Sequence, residues 1–346
     1  MSGSAAARHL ADEGVSVTVF EMGKSVGGRM STRIMPYGTK IYNFDHGCQY
    51  ISKPKTEIFN AALNRWKDMG VVKSWDTGMF ATTTLDGSVV IEDKKERWVG
   101  YPRMSSIPHY LLDHKNIEVK LQTHAKLERV ASRWQLVQED GEASSGTFDW
   151  LVCTDRMSIS RDIFLDDFGK DIDKIETIKS LTAMVVFESP LDLSLDGIQF
   201  NDEGLLGWAA RDTSKPGRSR EDTHECWVLQ SSPKAAKEIL QEANTENLNE
   251  IRELACASLV SAFLKRIPSV RKVSKPVPAV VTAIGHRWGA AFPISSSHFV
   301  DMDFKVIEAK QFVACGDYFS SMTGRIEGAY TSGRLSAEAI LKVLDI

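Results

Sequence analysis

Apolar positions along the chain follow two patterns, a helical spacing and a strict alternation, which replace each other many times. Ala5–Gly14 is alanine-rich, which favours helix, and Gly14 is a good residue to end one. Val15–Glu21 then alternates, predicting a strand with the acid Glu21 at its carboxyl end. A loop over Ser25–Arg29 leads into Tyr42–Tyr50. From about Thr56 to Gly70, Ile58, Phe59, Ala62, Leu63, Trp66 and Met69 recur at helical spacing. Val71–Trp98 gives short strand-like runs split by Gly78 and by Asp86-Gly87. Residues 117–155 predict three or four short strands ending in Trp150–Asp155, and a second strand-rich region covers 182–229. A long helix is expected over 247–264. The chain closes with a strand, Gln311–Cys315, the pair Gly316-Asp317 and a C-terminal helix.

This order predicts an α/β fold. Nucleotide-domain-like elements stand at both ends and in the middle, so a discontinuous Rossmann-like domain is expected from 1–70, 115–160 and 300–346. A mixed-sheet α+β domain from 71–114 and 161–299 would interrupt it, and a length of 346 residues suits two domains.

Composition changes this picture little. Apolar residues make up 42% and charged residues 25%, as in an ordinary globular protein. A net charge of -4 leaves no electrostatic footprint for nucleic acid, and no apolar run is long enough to span a membrane. Short mixed clusters such as Asp93-Lys94-Lys95-Glu96-Arg97 read as solvated turns. The five cysteines (Cys48, Cys153, Cys226, Cys256, Cys315) are scattered and odd in number, without metal-ligand spacing. They point to buried free thiols in a reducing compartment, cytoplasmic or organellar, and to no metal.

The candidate chemistry lies in five stretches near the two ends of the chain. A dinucleotide site needs a glycine turn before a helix, where free N–H groups hold the pyrophosphate, and an acid at the next strand end for a ribose hydroxyl. Gly3 and Ser4 before the helix and Glu21 at the strand end fit that pattern. Gly27-Gly28-Arg29-Met30-Ser31-Thr32-Arg33 follows, then Asp45-His46-Gly47-Cys48-Gln49-Tyr50. Near the other end come Val313-Ala314-Cys315-Gly316-Asp317 and Gly324-Arg325-Ile326-Glu327-Gly328-Ala329-Tyr330. Together these resemble the flavin-binding segments of the FAD-dependent amine-oxidase superfamily, and most of all its renalase-like members. Tyr101–Ile107, Gly207–Gly217 and His286-Arg287-Trp288 resemble further segments of that group.

The resemblance implies an FAD-dependent oxidoreductase that oxidises a small substrate by hydride transfer. It implies FAD contacts from Gly3, Ser4, Glu21, Gly27, Gly28, Arg29, Met30, Gly47, Gln49, Tyr50, Val130, Gly316, Asp317, Glu327, Gly328 and Ala329. Asp317 is expected on the ribityl chain, and Gly328 and Ala329 at a helix start facing the pyrimidine side of the flavin. His286, Trp288, Tyr50 and Arg325 are candidates for shaping catalysis; core packing for Tyr50, Trp288 and His286, and a structural salt bridge for Arg325, stay open. His46, His9, Ser31, Ser105 and Ser106 read as structural, without the partners of a nucleophilic triad.

Monoamine oxidases tether flavin through a cysteine, and no cysteine here lies in a matching segment, so FAD is expected to be non-covalent. Where those enzymes place a cage aromatic, this chain has Arg325, which suits an anionic or phosphate-bearing substrate. The resemblance implies a reduced nicotinamide nucleotide as substrate and molecular oxygen as acceptor. An amine oxidase releasing hydrogen peroxide is the alternative, and a non-catalytic remnant a third reading. Relatives of this kind begin with an apolar strand and two glycines upstream of the position of Gly3. The first strand is therefore expected to be absent from this chain, with weaker flavin binding and lower stability as the consequence.

Overall fold

The computed structural model describes all residues except 77, 85–87, 92–94, 124, 139–142, 156–167, 169–174, 219–221, 242, 245, 271–274 and 295–301. The Asp86-Gly87 break and the Asp93-Lys94 part of the expected turn lie outside the described residues.

Helix α1 (Ser2–Asp12) begins the chain, and its alanines Ala5, Ala6 and Ala7 are buried. Such small side chains allow close packing: α1 lies against the C-terminal helix Ile326–Leu344, where a Cβ on Gly333 would run into the Ser2 carbonyl. After Gly14, whose φ of 87° suits glycine, the chain forms strand Val17–Phe20, paired in parallel with Ile117–Lys120. A second parallel pair joins Leu151–Cys153 to Phe312–Cys315, with Phe304–Ile307 antiparallel beyond it. Strands from the first 20 residues, the middle and the end thus lie around α1 in two small sheets. Residues 117–153 contain five strands rather than three or four, because the meander 125–148 adds a short hairpin on either side of its central strand.

The other unit is a seven-stranded mixed sheet. Its order is Val280–Pro293, Thr177–Phe187, Glu225–Ser231, Leu206–Arg211, Gly197–Gln199, Phe80–Thr83 and Val89–Ile91, with one parallel pair between Gly197–Gln199 and Phe80–Thr83. Period-two alternation sorts its core. Ala183, Val185 and Phe187 pack with Leu259, Phe263 and Ile267 of the long helix, while Met184 and Val186 face Met35, Tyr42 and Phe44 of a hairpin on the opposite side. The long helix runs Leu248–Val270, past the expected end and through Pro268, because Phe263 and Ile267 continue its buried stripe.

Two local expectations need correction. Met69 caps α2 (Glu57–Asp68) and is 60% exposed, so the buried stripe of that helix ends at Trp66. Arg97 does not sit in a solvated turn. It opens the buried strand Arg97–Gly100, with its guanidinium 3.7 Å from the Phe80 ring centroid, where an aromatic face replaces water.

Candidate functional site

A cavity of ≈ 740 Å³ runs from the start of α1 to the wall of the mixed sheet. Gly3 and Ser4 line it in the first turn of α1, where backbone N–H groups have no carbonyl one turn back; the first intrahelical bond there is Ala5 N–H to Met1 O, 2.9 Å. Glu21, at the end of the strand that follows, lines the same end, and its Oε1 accepts the Gly23 N–H at 2.7 Å.

The next wall is the loop Gly27, Gly28, Arg29 and Met30. Gly27 has φ 114°, a conformation that favours glycine, and it starts the short 3-10 turn Gly28–Met30. That turn aims Arg29 across the cavity. Its guanidinium donates to Asp317 through two bonds of 2.8 and 2.6 Å and to the Ala291 carbonyl at 3.1 Å. Burial alone would lower the Arg29 pKa, but the Asp317 charge and hydrogen bonds outweigh it and raise the value. Gly316, Asp317, Glu327 and Ala329 complete this side. Glu327 is not free to meet a ligand as an isolated charge, since it accepts from the N–H groups of Lys55 and Thr56 and from the Thr56 hydroxyl.

Gly47, Gln49 and Tyr50 line the cavity from a segment held by a buried charge cluster. Asp45, wholly buried, accepts from Arg218, from the Thr32 hydroxyl at 2.8 Å and from the Met104 N–H at 3.1 Å. Lys215, 1% exposed, reaches Asp212 at 2.7 Å and the Gln49 carbonyl oxygen at 3.2 Å. The Gln49 amide nitrogen then donates to the Gly47 carbonyl at 3.1 Å, and Gln230 donates to the same carbonyl at 2.8 Å. Burial works to raise the Asp45 pKa, but Arg218 and Lys215 overcome it and lower the value. For Asp212 burial wins and the value is raised. Two acids and two bases balance, which is what makes so dry a charge cluster tenable.

The mixed sheet supplies the remaining wall through Lys179, Gln199, Trp208, Gln230 and Trp288, among others. Tyr50 and Trp208 have ring centroids 5.9 Å apart. The Trp208 indole nitrogen is buried and has no hydrogen-bond partner among the described residues. Trp288 donates to the His46 carbonyl at 3.2 Å. Cys48 also lines the cavity; burial pushes its thiol up to about 11, so it stays protonated and a poor nucleophile.

Sixteen of the nineteen site residues expected from sequence line this cavity, including Trp288, Tyr50 and Arg325. Three do not. Val130 is 46% exposed at the end of strand Ala125–Val130, outside the cavity. Gly328 is buried within the first turn of the C-terminal helix, where a Cβ would meet the Met322 carbonyl, so its backbone packs and Ala329 faces the cavity. His286 lies off the cavity, 4.4 Å from Trp288 and 4.7 Å from His46 between ring centroids. Burial lowers its pKa to about 4, so its ring is neutral there. Lys179, Gln199 and Gln230 went unrecognised in the sequence because strand residues enter a wall singly. Trp208 and Lys215 stood in a recognised segment, without a role assigned to them.

The first turn of α1, the acid at the strand end, the glycine loop and the helix start at Ala329 fit a dinucleotide such as FAD, and the cavity has the size of a cofactor site. Among the described residues no group of histidine, cysteine and carboxylate side chains could hold a metal ion. No helix of these residues is long and apolar enough to cross a membrane.

Comparison with known proteins agrees with this geometry. Residues 1–66 match the model of the NAD(P)-binding Rossmann-like domain. The fold is similar to that of cyclohexylamine oxidase from Brevibacterium oxydans IH-35A, at 12% identity and a TM-score of 0.70, over 100% of this chain and 97% of that one. It is similar to putrescine oxidase solved with bound putrescine, at 13% identity and a TM-score of 0.61, over 99% and 97%. A candidate protoporphyrinogen oxidase from Exiguobacterium sp. 255-15 matches at 12% identity and a TM-score of 0.68, over 98% and 96%. The chain is therefore a mixed α/β protein with a Rossmann-like dinucleotide-binding domain and the overall fold of these solved oxidases.

Proposed function

We propose that the protein is an FAD-dependent oxidoreductase that takes a hydride from a small substrate. The observation that carries this reading is the single cavity joining the dinucleotide elements to the mixed-sheet wall, so that cofactor and substrate would share one space. The α1 N–H groups at Gly3 and Ser4 would hold the pyrophosphate, with Arg29 supplying positive charge, and Glu21 would accept from ribose hydroxyls. The start of the C-terminal helix at Ala329 would place its positive end by the flavin's pyrimidine ring. FAD held there would supply a two-electron acceptor for the hydride leaving the substrate C–H bond, and molecular oxygen with two protons would reoxidise it, giving hydrogen peroxide. The chain's own part is to orient and to exclude water. Gln230 and Gln49 fix the Gly47 carbonyl, and Tyr50, Trp208 and Trp288 enclose the reacting space.

The cofactor is non-covalent in this reading, supported by the protonated Cys48 thiol. A reduced nicotinamide nucleotide is the first substrate to test, from the renalase-like resemblance of the Asp45–Tyr50 and Tyr101–Ile107 segments. Oxidation of an amine is the second reading, favoured by the likeness to cyclohexylamine and putrescine oxidases and by the aromatic pair Tyr50–Trp208. Anaerobic mixing of the flavin-loaded protein with isomers of reduced nicotinamide nucleotides and, separately, with amines decides between them. Bleaching of the flavin bands by the nucleotides alone supports the first reading. Bleaching by amines alone supports the second, and a protein that takes up no flavin sinks both and leaves the remnant.

A further inference from the structure

Two cations on the cavity wall have no ion-pair partner among the described residues. Lys179 and Arg325 both line the cavity and are both exposed, and among the described residues neither has a carboxylate partner. They stand on elements that one aromatic ring connects. Ile178, next to Lys179, pairs with Phe292 across the sheet, and the Phe292 ring lies so close to Gly324 that a Cβ there would stand 2.7 Å from it. Gly324 precedes Arg325, whose guanidinium donates to the Ser52 hydroxyl at 3.3 Å. Phe292 is itself 46% exposed and lines the cavity. The acids lining the same cavity are all engaged elsewhere. Glu21 accepts the Gly23 N–H, Asp317 accepts from Arg29 and the Gly324 N–H, and Glu327 accepts from Lys55 and Thr56.

We propose that this rim selects an anionic substrate: a small planar ring bearing a carboxylate or phosphate, with the anion between Lys179 and Arg325 and the ring against Phe292. Two cations that no carboxylate pairs among the described residues attract an oxyanion more than a protonated amine, and a guanidinium presents the paired donors that both anions accept. The exposed aromatic face supplies apolar area without a charge of its own. The inference deepens the proposed function, since it assigns the same cavity to that reading's substrate.

The test holds the ring constant and varies the charge. Benzoate, phenyl phosphate, benzamide and benzylamine are titrated into the flavin-loaded protein at low ionic strength, followed by the shift of the flavin's visible bands. The same series is followed in flavin-free protein by its intrinsic tryptophan fluorescence, so a failure to bind flavin is read separately from a failure of charge selection. At least one anion is expected to bind at least about tenfold more tightly than benzamide, with benzylamine weakest. Which anion binds better distinguishes carboxylate from phosphate substrates. The exposed double substitution Lys179→Gln/Arg325→Gln is expected to abolish the preference, bringing the anions to within about twofold of benzamide measured in the same variant. Benzylamine binding as tightly as the anions, no binding of either anion, or a preference that survives the double substitution would overturn the proposal.

Discussion

Arg29 and Asp317, 288 residues apart in the chain, meet in two parallel hydrogen bonds of 2.8 and 2.6 Å. The pair joins the glycine loop that follows the first strand to the turn that follows the last, and a third bond from Arg29 reaches the Ala291 carbonyl of the mixed sheet. One planar guanidinium thus sets the relative position of three walls of the cavity. A lysine keeps the charge but cannot reproduce a forked contact. Arg29→Lys is expected to weaken FAD binding by at least about tenfold while the far-ultraviolet circular dichroism stays unchanged, as measured by flavin fluorescence on titration.

The buried cluster of Asp45, Asp212, Lys215 and Arg218 acts on the same cavity from behind, through Gln49. Lys215→Met leaves Asp212 and Asp45 short of positive charge in a dry interior. It is expected to cost about 3–5 kcal/mol in denaturant unfolding, the usual penalty for stripping one partner from a buried ion pair. Lys215→Met combined with Asp212→Leu removes a charge of each sign and should recover part of that loss. A single substitution costing no more than a surface change would show the cluster to be solvated.

His46 and His286 make the fold sensitive to acid. Burial, the largest influence on each ring, lowers the pKa to about 3 for His46 and to about 4 for His286, from an ordinary value of 6.5. Between those values and 6.5 the unfolded chain takes up protons that the folded chain refuses, so stability is full above 6.5 and falls as pH drops toward 4. Unfolding midpoints measured across this range should show that slope, and His46→Gln/His286→Gln should flatten it. A slope unchanged in the double variant would assign the acid sensitivity to other groups.

The contact between α1 and the C-terminal helix sets the floor of the site. Gly333 faces the Ser2 carbonyl so closely that a methyl group must push the helices apart. Gly333→Ala is therefore expected to destabilise the protein by about 1–3 kcal/mol by overpacking, despite alanine's better helix propensity. Flavin affinity should fall with it, because Ser2, Gly3 and Ser4 lie on the displaced turn. Thermal unfolding of the variant, with and without FAD, measures both effects.

Much of this was legible in the sequence where function sits in contiguous residues. The first helix, the strand ending before Glu21, the Gly27–Arg29 loop and the Gly316-Asp317 turn are each local patterns with one physical reading, although the helix starts at Ser2 and so takes in Gly3 and Ser4, which the sequence places before it. The mixed-sheet wall was not legible, because Lys179, Trp208 and Gln230 come from three strands and meet only through sheet register. The Asp45 cluster was hidden for the same reason: Lys215 and Arg218 meet Asp45 only once the fold brings residues about 170 positions apart together. Arg97 misled in a similar way, since its neighbours Lys95 and Glu96 are exposed while its guanidinium turns to the rings of Phe80 and Tyr50. His286 drew notice as a candidate, yet its ring turns to His46 and Trp288 rather than to the cavity.

The central claim is that this cavity holds FAD, and the most direct measurement is a titration of the purified protein with FAD. It is followed by quenching of flavin fluorescence and by the visible absorbance spectrum, then by acid precipitation. The account predicts saturable binding of one flavin per chain, loss of affinity in Arg29→Lys, and flavin fully released into the acid supernatant. A folded protein that binds no FAD at any accessible concentration would contradict it.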